Sequence, residues 1–362
     1  MRVLVTGASG RVGRAVVDSL IAAGVPVRAL TRRPEAKALP ANVEVVTGDL
    51  TVPESLDAAL RDVGAVFLVW TVPLASAPAV VERLAARARR VVFLSSPHQT
   101  PHPFFQQPNP MAVLHADIER LIAATGLEST IIRPGMFASN TLFWWAPAIR
   151  ADGVVRWPYG AAETAPVDDR DVAAVAARTL YEDGHAGGDY VLTGPESLSQ
   201  AEQVGIIGDV TGRRIRFEEL TPDEFRSETA GTWPRPVVDM LLDAWGAAMG
   251  RPAYVTATVS DILGSARPLR QWVADHATAF TEGAGLGLGG RPVFDDETGE
   301  VVPMATSKQW VVDTLRHLGF TQAAEDALRD LPEEIDAEQL REFGDRHGIG
   351  SNMLTDRMGG SP

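Results

Sequence analysis

The residues that most limit what this chain can become are Thr6-Gly7-Ala8-Ser9-Gly10-Arg11-Val12-Gly13, with three glycines at intervals of three. The apolar run Val3-Leu4-Val5 comes directly before them, and a stretch with helical spacing comes directly after. A strand that stops at a glycine turn and restarts as a helix leaves free N–H groups and the positive end of the helix dipole at the turn. Glycine also lets the backbone come close to whatever sits there. This is the arrangement that holds the pyrophosphate of a dinucleotide, and the flanking strand and helix distinguish it from an ordinary glycine turn. A literal Gly-x-Gly-x-x-Gly at Gly285, Gly287 and Gly290 lacks both flanks, because no strand precedes it and Arg291-Pro292 follows. It is not a phosphate site.

Downstream of the motif, short Val-, Leu- and Ile-rich runs alternate with helical stretches, the rhythm of β-α-β units around a parallel sheet. Strands are expected at 3–6, 25–30, 43–47, 65–70, 91–94 and 129–132, and helices at 12–22, 55–60, 79–88 and 112–124. The fold class is therefore α/β: a Rossmann-type, doubly wound parallel sheet whose ligand site lies beyond the carboxyl ends of the strands. Four regions are expected: an NAD(P)-binding domain at 1–150, a smaller mixed α/β substrate lobe at 151–280, a Gly-rich linker at 281–291 and an acidic helical extension at 292–362. In the lobe, Ser199 with Glu202 and Thr221 with Glu224 have capping-box form. In the extension, 307–318, 322–329 and 336–346 carry amphipathic spacing.

Composition removes several classes of function. No cysteine is present, which excludes disulfides, thiolate ligands and a cysteine nucleophile, and the cytoplasm is the expected compartment. The formal net charge of −14 opposes nucleic-acid binding, and no apolar stretch has the length of a membrane span. From Thr281 onward there are 16 acidic and 7 basic residues, so most of the net charge sits in the tail, which is expected to serve a protein partner or a homo-oligomer contact. Gly-x-Ser-x-Gly and His-Glu-x-x-His are both absent. His98 and His102 stand four apart among Pro97, Pro101 and Pro103, which prevents a helical metal pair, and no metal is expected.

After the second strand the chain reads Thr31-Arg32-Arg33-Pro34, where an NAD-preferring site would carry an acidic residue for the ribose hydroxyl. Guanidinium groups suit a 2′-phosphate, so NADP(H) is the expected cofactor. Asp49-Leu50, closing the third strand, is within reach of an adenine, although such an aspartate is equally at home in a turn.

With these residues in place the chain resembles the NmrA-like members of the atypical short-chain dehydrogenase/reductases over roughly residues 1–280. The glycine motif, Arg32, Gly48-Asp49-Leu50, Val91-Val92-Phe93-Leu94-Ser95-Ser96, Ile118-Glu119 and Ile131-Ile132-Arg133-Pro134-Gly135-Met136-Phe137 carry the likeness, in order. Pro158-Tyr159-Gly160, Val167-Asp168-Asp169-Arg170-Asp171-Val172-Ala173 and Tyr190-Val191-Leu192-Thr193-Gly194-Pro195 extend it. The resemblance implies cofactor contacts from Thr6, Gly7, Ser9, Gly10, Arg11, Val12, Gly13, Arg32, Arg33, Asp49, Leu50, Trp70, Ser95, Ser96, His115 and Pro134. It also implies a small lobe closing over the nicotinamide end. Some members of the family reduce quinones, enones or other small molecules, and others sense the NADP redox state without turnover.

The Tyr-x-x-x-Lys pair of the wider superfamily cannot exist in this chain. The only lysines are Lys37 and Lys308, and Arg33 and Met304 stand four residues before them. The equivalent positions are Met111 and His115, so His115 is expected to be the catalytic acid or hydrogen-bond donor. Phe104, Phe105, Phe143, Trp144, Trp145, Trp157 and Tyr159 fall near the open end of the sheet, and Phe105 and Trp144 are expected to wall the substrate pocket. Asp171 is expected to cap a helix rather than act with Asp168 as a carboxylate pair. Three functions fit: an NADPH-dependent oxidoreductase acting on a small apolar quinone, enone or carbonyl substrate, a non-catalytic NADP(H) sensor, and a redox-neutral NADP-assisted isomerase or cyclase.

Overall fold

The computed structural model describes residues 1–32, 39–230, 233, 235–281 and, in the tail, 293–294, 301–302, 306–308, 312, 321–335, 339, 343 and 346. Arg33, the Gly-rich linker and most of the extension lie outside the described residues.

The chain begins β1 (Arg2–Val5), α1 (Arg11–Ala22), β2 (Val27–Thr31), β3 (Glu44–Thr47), α2 (Leu56–Ala59), β4 (Val63–Val69), α3 (Ala77–Arg87), β5 (Arg90–Leu94), α4 (Pro110–Ala123) and β6 (Glu128–Pro134). Every strand and helix expected in this stretch forms. Each central strand is buried on both faces, which is why its sequence is a nearly unbroken apolar run. α1 buries Gly13, Val16, Val17 and Leu20, the 3–4 spacing of one helical face.

After β6 the chain leaves the sheet through α5 (Asn140–Trp144), α6 (Ala146–Ala151), β7 (Val154–Pro158) and β8 (Glu163–Thr164). It then comes back as α7 (Asp169–Tyr181) and β9 (Asp189–Leu192). β9 pairs in parallel with β6, completing a seven-stranded sheet of order β3-β2-β1-β4-β5-β6-β9. Six strands were expected, and the seventh comes from beyond residue 150. The chain leaves the sheet after Pro134, well before residue 150, and residues 169–192 return to the sheet and its helical layer. The strand order reverses between β1 and β4, and a crevice opens at such a switch point beyond the carboxyl ends.

The second lobe adds β10 (Leu198–Ser199), α8 (Gln200–Thr211), β11 (Arg216–Leu220), α9 (Pro222–Glu228), α10 (Arg235–Ala248), α11 (Thr258–Leu263), α12 (Leu269–Asp275) and α13 (Ala277–Thr281). β7 pairs in parallel with β11, and β8 pairs antiparallel with β10. Both capping boxes are formed, at Ser199 with Glu202 and at Thr221 with Glu224. The cap of α7 is a correction: Asp168 accepts from the Arg170 N–H at 2.8 Å, while Asp171 binds Arg267 instead. The lobe has its own aromatic core, in which Trp145, Trp157, Trp245, Phe225, Trp272 and Phe280 are buried together. In the tail, a helix at Thr321–Asp330 covers the expected 322–329 segment. Ser307, expected to open a helix, sits instead in the two-residue strand Thr306–Ser307, which pairs with Glu334–Ile335.

Candidate active site

The first half of the site is backbone. Gly7 turns the chain with φ of +61° while lying against Val69, so a Cβ there would stand 3.2 Å from that residue's own Cβ. A Cβ on Gly13 would come within 2.2 Å of the Gly7 carbonyl oxygen, a backbone atom that cannot move aside. α1 starts at Gly10 with no side-chain cap, which leaves its first N–H groups facing the crevice. Ser9, Gly10 and Arg11 are exposed along this rim. A cradle that excludes Cβ atoms and presents uncapped amides fits the pyrophosphate of a dinucleotide.

Several residues expected at the cofactor are engaged elsewhere. The Thr6 hydroxyl accepts from the Val69 N–H at 2.7 Å and lies 3.2 Å from the Phe67 carbonyl, tying β1 to β4. The Trp70 indole is buried in the core and donates to the Val72 carbonyl at 2.6 Å, so it offers no ring to a ligand. The Asp49 carboxylate accepts from the backbone and hydroxyl of Thr51, at 2.8 and 2.9 Å, which is turn chemistry, and the Leu50 side chain packs into the core. Arg11 reaches across to the second half of the chain. Its Nε lies 3.3 Å from Asp169, its guanidinium bonds Ser139, and it sits over the Phe137 ring at 5.8 Å. Burial pushes the Asp169 carboxyl up, against the pull of Arg11 and Ser139. Arg32 is exposed just past β2.

The second half of the site is made of side chains, brought together at the ends of β5, β6 and β9 and on the inner face of α4. Arg133, 2% exposed, grips Glu119 with two hydrogen bonds of 2.7 and 2.8 Å and Asp189 with two of 2.5 and 3.0 Å. The same guanidinium donates to the Ser96 carbonyl at 2.9 Å, and the Ser95 hydroxyl bonds Glu119. His98 Nε2 is buried without a partner, 3.8 Å from Glu119. His115, one turn before Glu119 on α4, is 9% exposed, stands edge-on to Phe93 at 5.5 Å and keeps Nδ1 buried without a partner. Burial pulls its imidazole down to about 4, opposed by Glu119 and helped by His98 and Arg133. It is therefore neutral near pH 7. Of the two roles expected for it, a neutral hydrogen-bond donor fits this setting better than a cationic acid.

Glu119, Arg133 and Ser96 were visible in the sequence as parts of a pattern, but His98 and Asp189 were not linked to them. The available signal was an arginine inside an otherwise apolar strand, since a buried guanidinium requires carboxylate partners.

Phe105 lines a cleft with His102, Phe104, Gly135, Met136, Glu163, Thr193 and Tyr254, among others, with about 10 Å³ of free space, room for roughly one water. Trp144 does not line this cleft. It packs into the aromatic core, 5.8 Å from the Trp157 ring and 5.6 Å from the Trp245 ring, because α5 turns its apolar face into the second lobe. His98 and His102 separate, the first to the ionic cluster and the second to the cleft. Among the described residues no group of three or more His, Asp or Glu is arranged to hold a metal ion. No described helix is long and apolar enough to cross a membrane.

The parallel sheet, its switch point and the glycine cradle define an NAD(P)H-binding protein of the Rossmann class. Comparison with known proteins agrees: residues 7–183 match the NAD(P)H-binding family. A (4-alkanoyl-5-oxo-2,5-dihydrofuran-3-yl)methyl phosphate reductase from Streptomyces griseus is 42% identical over 294 residues, covering 77% of this chain and 99% of the relative. An NAD(P)H azoreductase from Xenophilus azovorans is 30% identical over 295 residues, covering 77% and 99%. The crystal structure of an NADPH-dependent quinone oxidoreductase from Escherichia coli, complexed with NADPH, superimposes with a TM-score of 0.65 at 25% identity, covering 76% of this chain and 99% of that one. The chain belongs to the NmrA-like family of atypical short-chain dehydrogenase/reductases, as an NAD(P)H-dependent oxidoreductase. Nearly a quarter of its length has no counterpart in these relatives.

Proposed function

We propose that this protein reduces a small, largely apolar acceptor with an electron-poor double bond, an enone, quinone or unsaturated lactone, using NADPH. NADPH, when bound, supplies the hydride. The backbone cradle at Gly7, Gly10 and Gly13 holds its pyrophosphate, and Arg32 meets the 2′-phosphate with a planar cation. The substrate is received beside Phe105, Gly135 and Met136, in the wall that the 151–280 lobe contributes to, and the cleft, with room for about one water as it stands, has to widen to admit it. His115 offers a neutral N–H to the acceptor's oxygen.

The observation that carries this reading is the absence of a proton-donating pair beside a well-formed cradle. The Tyr-x-x-x-Lys residues do not exist in this chain, and the histidine in their place is held neutral by burial. A ketone reduced to an alkoxide needs a strong acid at hand. An enone or quinone leaves an enolate or phenolate, a base weak enough to take its proton from solvent, so a hydrogen-bond donor suffices. The furanone phosphate reductase relative, whose acceptor is an unsaturated lactone, supports the same class.

The test is a titration with NADPH, NADP, NADH and NAD, followed by NADPH consumption with menadione, 2-cyclohexenone, a butenolide and benzaldehyde. Tighter binding of NADPH than NADH, with turnover on the first three acceptors and little on the aldehyde, is the expected result. Binding without consumption of NADPH on any acceptor would overturn the reading and leave a cofactor-responsive binding protein.

A further inference from the structure

Between α1, α7 and the connection from α11 to α12 lies a space larger than the candidate cleft, about 310 Å³ against about 10 Å³. That volume is at the lower end of the range of small-molecule sites. Ala174, Ala177, Arg178 and Tyr181 line one side of it, at the spacing of a single face of α7, and Ser19 of α1 lines another. Leu263, Ser265 and Arg267 close the third side. Ser19 stands about 13 Å along α1 from the Gly10 end that faces the crevice, so a ligand here does not take the dinucleotide's place. The walls are held in position before anything binds. The Arg178 guanidinium donates to the Ile262 carbonyl, tying the end of α11 to α7, and Gly264 turns the chain there with φ of +88°. The Arg267 N–H donates to Asp171 at 2.8 Å and its guanidinium bonds the same carboxylate, which ties the other end of the connection to α7.

The lining selects for charge. It holds two arginines and three hydroxyl side chains and no carboxylate, in a chain whose net charge is −14. The bonds just named use only part of each guanidinium, which has five N–H donors in all. Asp171 is buried on the α7 side of Arg267, and Glu182 lies 3.6 Å from Arg178 with both side chains 41% exposed. Such a surface pair gives way to a better acceptor at little cost. The Tyr181 phenol and the Ser265 hydroxyl have no hydrogen-bond partner among the described residues. Ala174, Ala177 and Leu263 add an aliphatic floor of short side chains.

We propose that this cavity is a second ligand site, separate from the dinucleotide crevice, that takes a small organic dianion: two anionic groups, carboxylate or phosphate, on a short carbon skeleton. Arg178 and Arg267 each meet one anionic group, the hydroxyls complete its hydrogen bonds, and the skeleton lies on Ala174 and Ala177.

The experiment titrates the full chain, saturated with NADP so that the crevice is filled, with succinate, 3-phosphoglycerate, inorganic phosphate and succinamide, the uncharged analogue of succinate. By calorimetry, one equivalent of succinate or 3-phosphoglycerate is expected to bind about 10-fold or more tightly than phosphate or succinamide, and the tighter of the two dianions tells carboxylate from phosphate ester. Ala174→Leu, which fills the floor without touching an ion pair, and Arg178→Gln are each expected to weaken that binding about 10-fold or more, and Arg178→Lys to weaken it less. Unchanged NADPH affinity in these variants shows that they are folded. Failure of both dianions to bind overturns the site, as does binding that survives both Ala174→Leu and Arg178→Gln. Phosphate or succinamide binding as tightly as the dianions overturns the ligand class.

Discussion

The two halves of the candidate site are built from opposite materials. In the cradle after β1 the working groups are backbone amides, and side chains matter by being absent, as at Gly13, where a single Cβ would meet the Gly7 carbonyl at 2.2 Å. At the ends of β5, β6 and β9 the working groups are side chains. There Arg133 collects Glu119, Asp189 and the Ser96 carbonyl from three separate stretches of sequence. The first half tolerates almost nothing added, and the second almost nothing removed.

The difference predicts how each half breaks. The largest effect falls on the side-chain half. Glu119→Ala leaves a fully buried guanidinium short of one carboxylate, a defect that costs about 3–5 kcal/mol. Denaturant unfolding is expected to register that loss, with Glu119→Gln milder. If Glu119→Ala unfolds like wild type, the cluster is ornamental.

Acid comes next. His115 has its pKa depressed in the folded state to about 4, against about 6.5 unfolded, so the unfolded chain binds the proton more tightly. The stability this confers is present above about pH 6.5 and is lost as the pH falls towards 4. It amounts to roughly 2–4 kcal/mol. His115→Leu removes a titrating group from the core, and its stability between pH 6.5 and 4 should decline less steeply than that of wild type. Parallel declines would mean that the imidazole titrates alike in the folded and unfolded protein, so that burial does not depress it.

The smallest of the three tests the backbone half. In Gly13→Ala the strain of overpacking, about 1–3 kcal/mol, falls on the cradle and weakens NADPH binding about 10- to 100-fold. Unfolding free energy without cofactor should fall by less than in Glu119→Ala. An equal loss in both would erase the distinction between the two halves.

The same difference decides what the sequence discloses. A cradle of consecutive residues writes itself as a motif, so its position after β1 and before α1 was legible along with the rhythm of the first six strands. The ionic cluster depends on contacts between residues 14 to 56 apart in sequence, such as Arg133 with Glu119 and Arg133 with Asp189, and no local spacing encodes them. Local spacing does not disclose side-chain direction either, which is fixed by what the neighbours offer: the Val72 carbonyl holds Trp70, the Thr51 amide and hydroxyl take up Asp49 in the turn that was its alternative reading, and the aromatic core takes Trp144. The domain boundary near 150 was drawn from a change of rhythm. The return of the chain through α7 and β9 produces no such change, because β9 is short and mostly half-buried.

That return has a consequence for the order of events during synthesis. Until residue 192 has emerged from the ribosome, β6 is the open edge of a sheet, its carbonyls and amides free to pair with another chain, and Arg133 has met Glu119 but not Asp189. Fifty-four residues, Gly135 to Gly188, which hold only Trp145 and Trp157 of the aromatic core named above, must be made between the sixth strand and the one that protects it. The nascent chain is therefore most exposed to misassembly while the dinucleotide cradle, made first, already has every residue it needs.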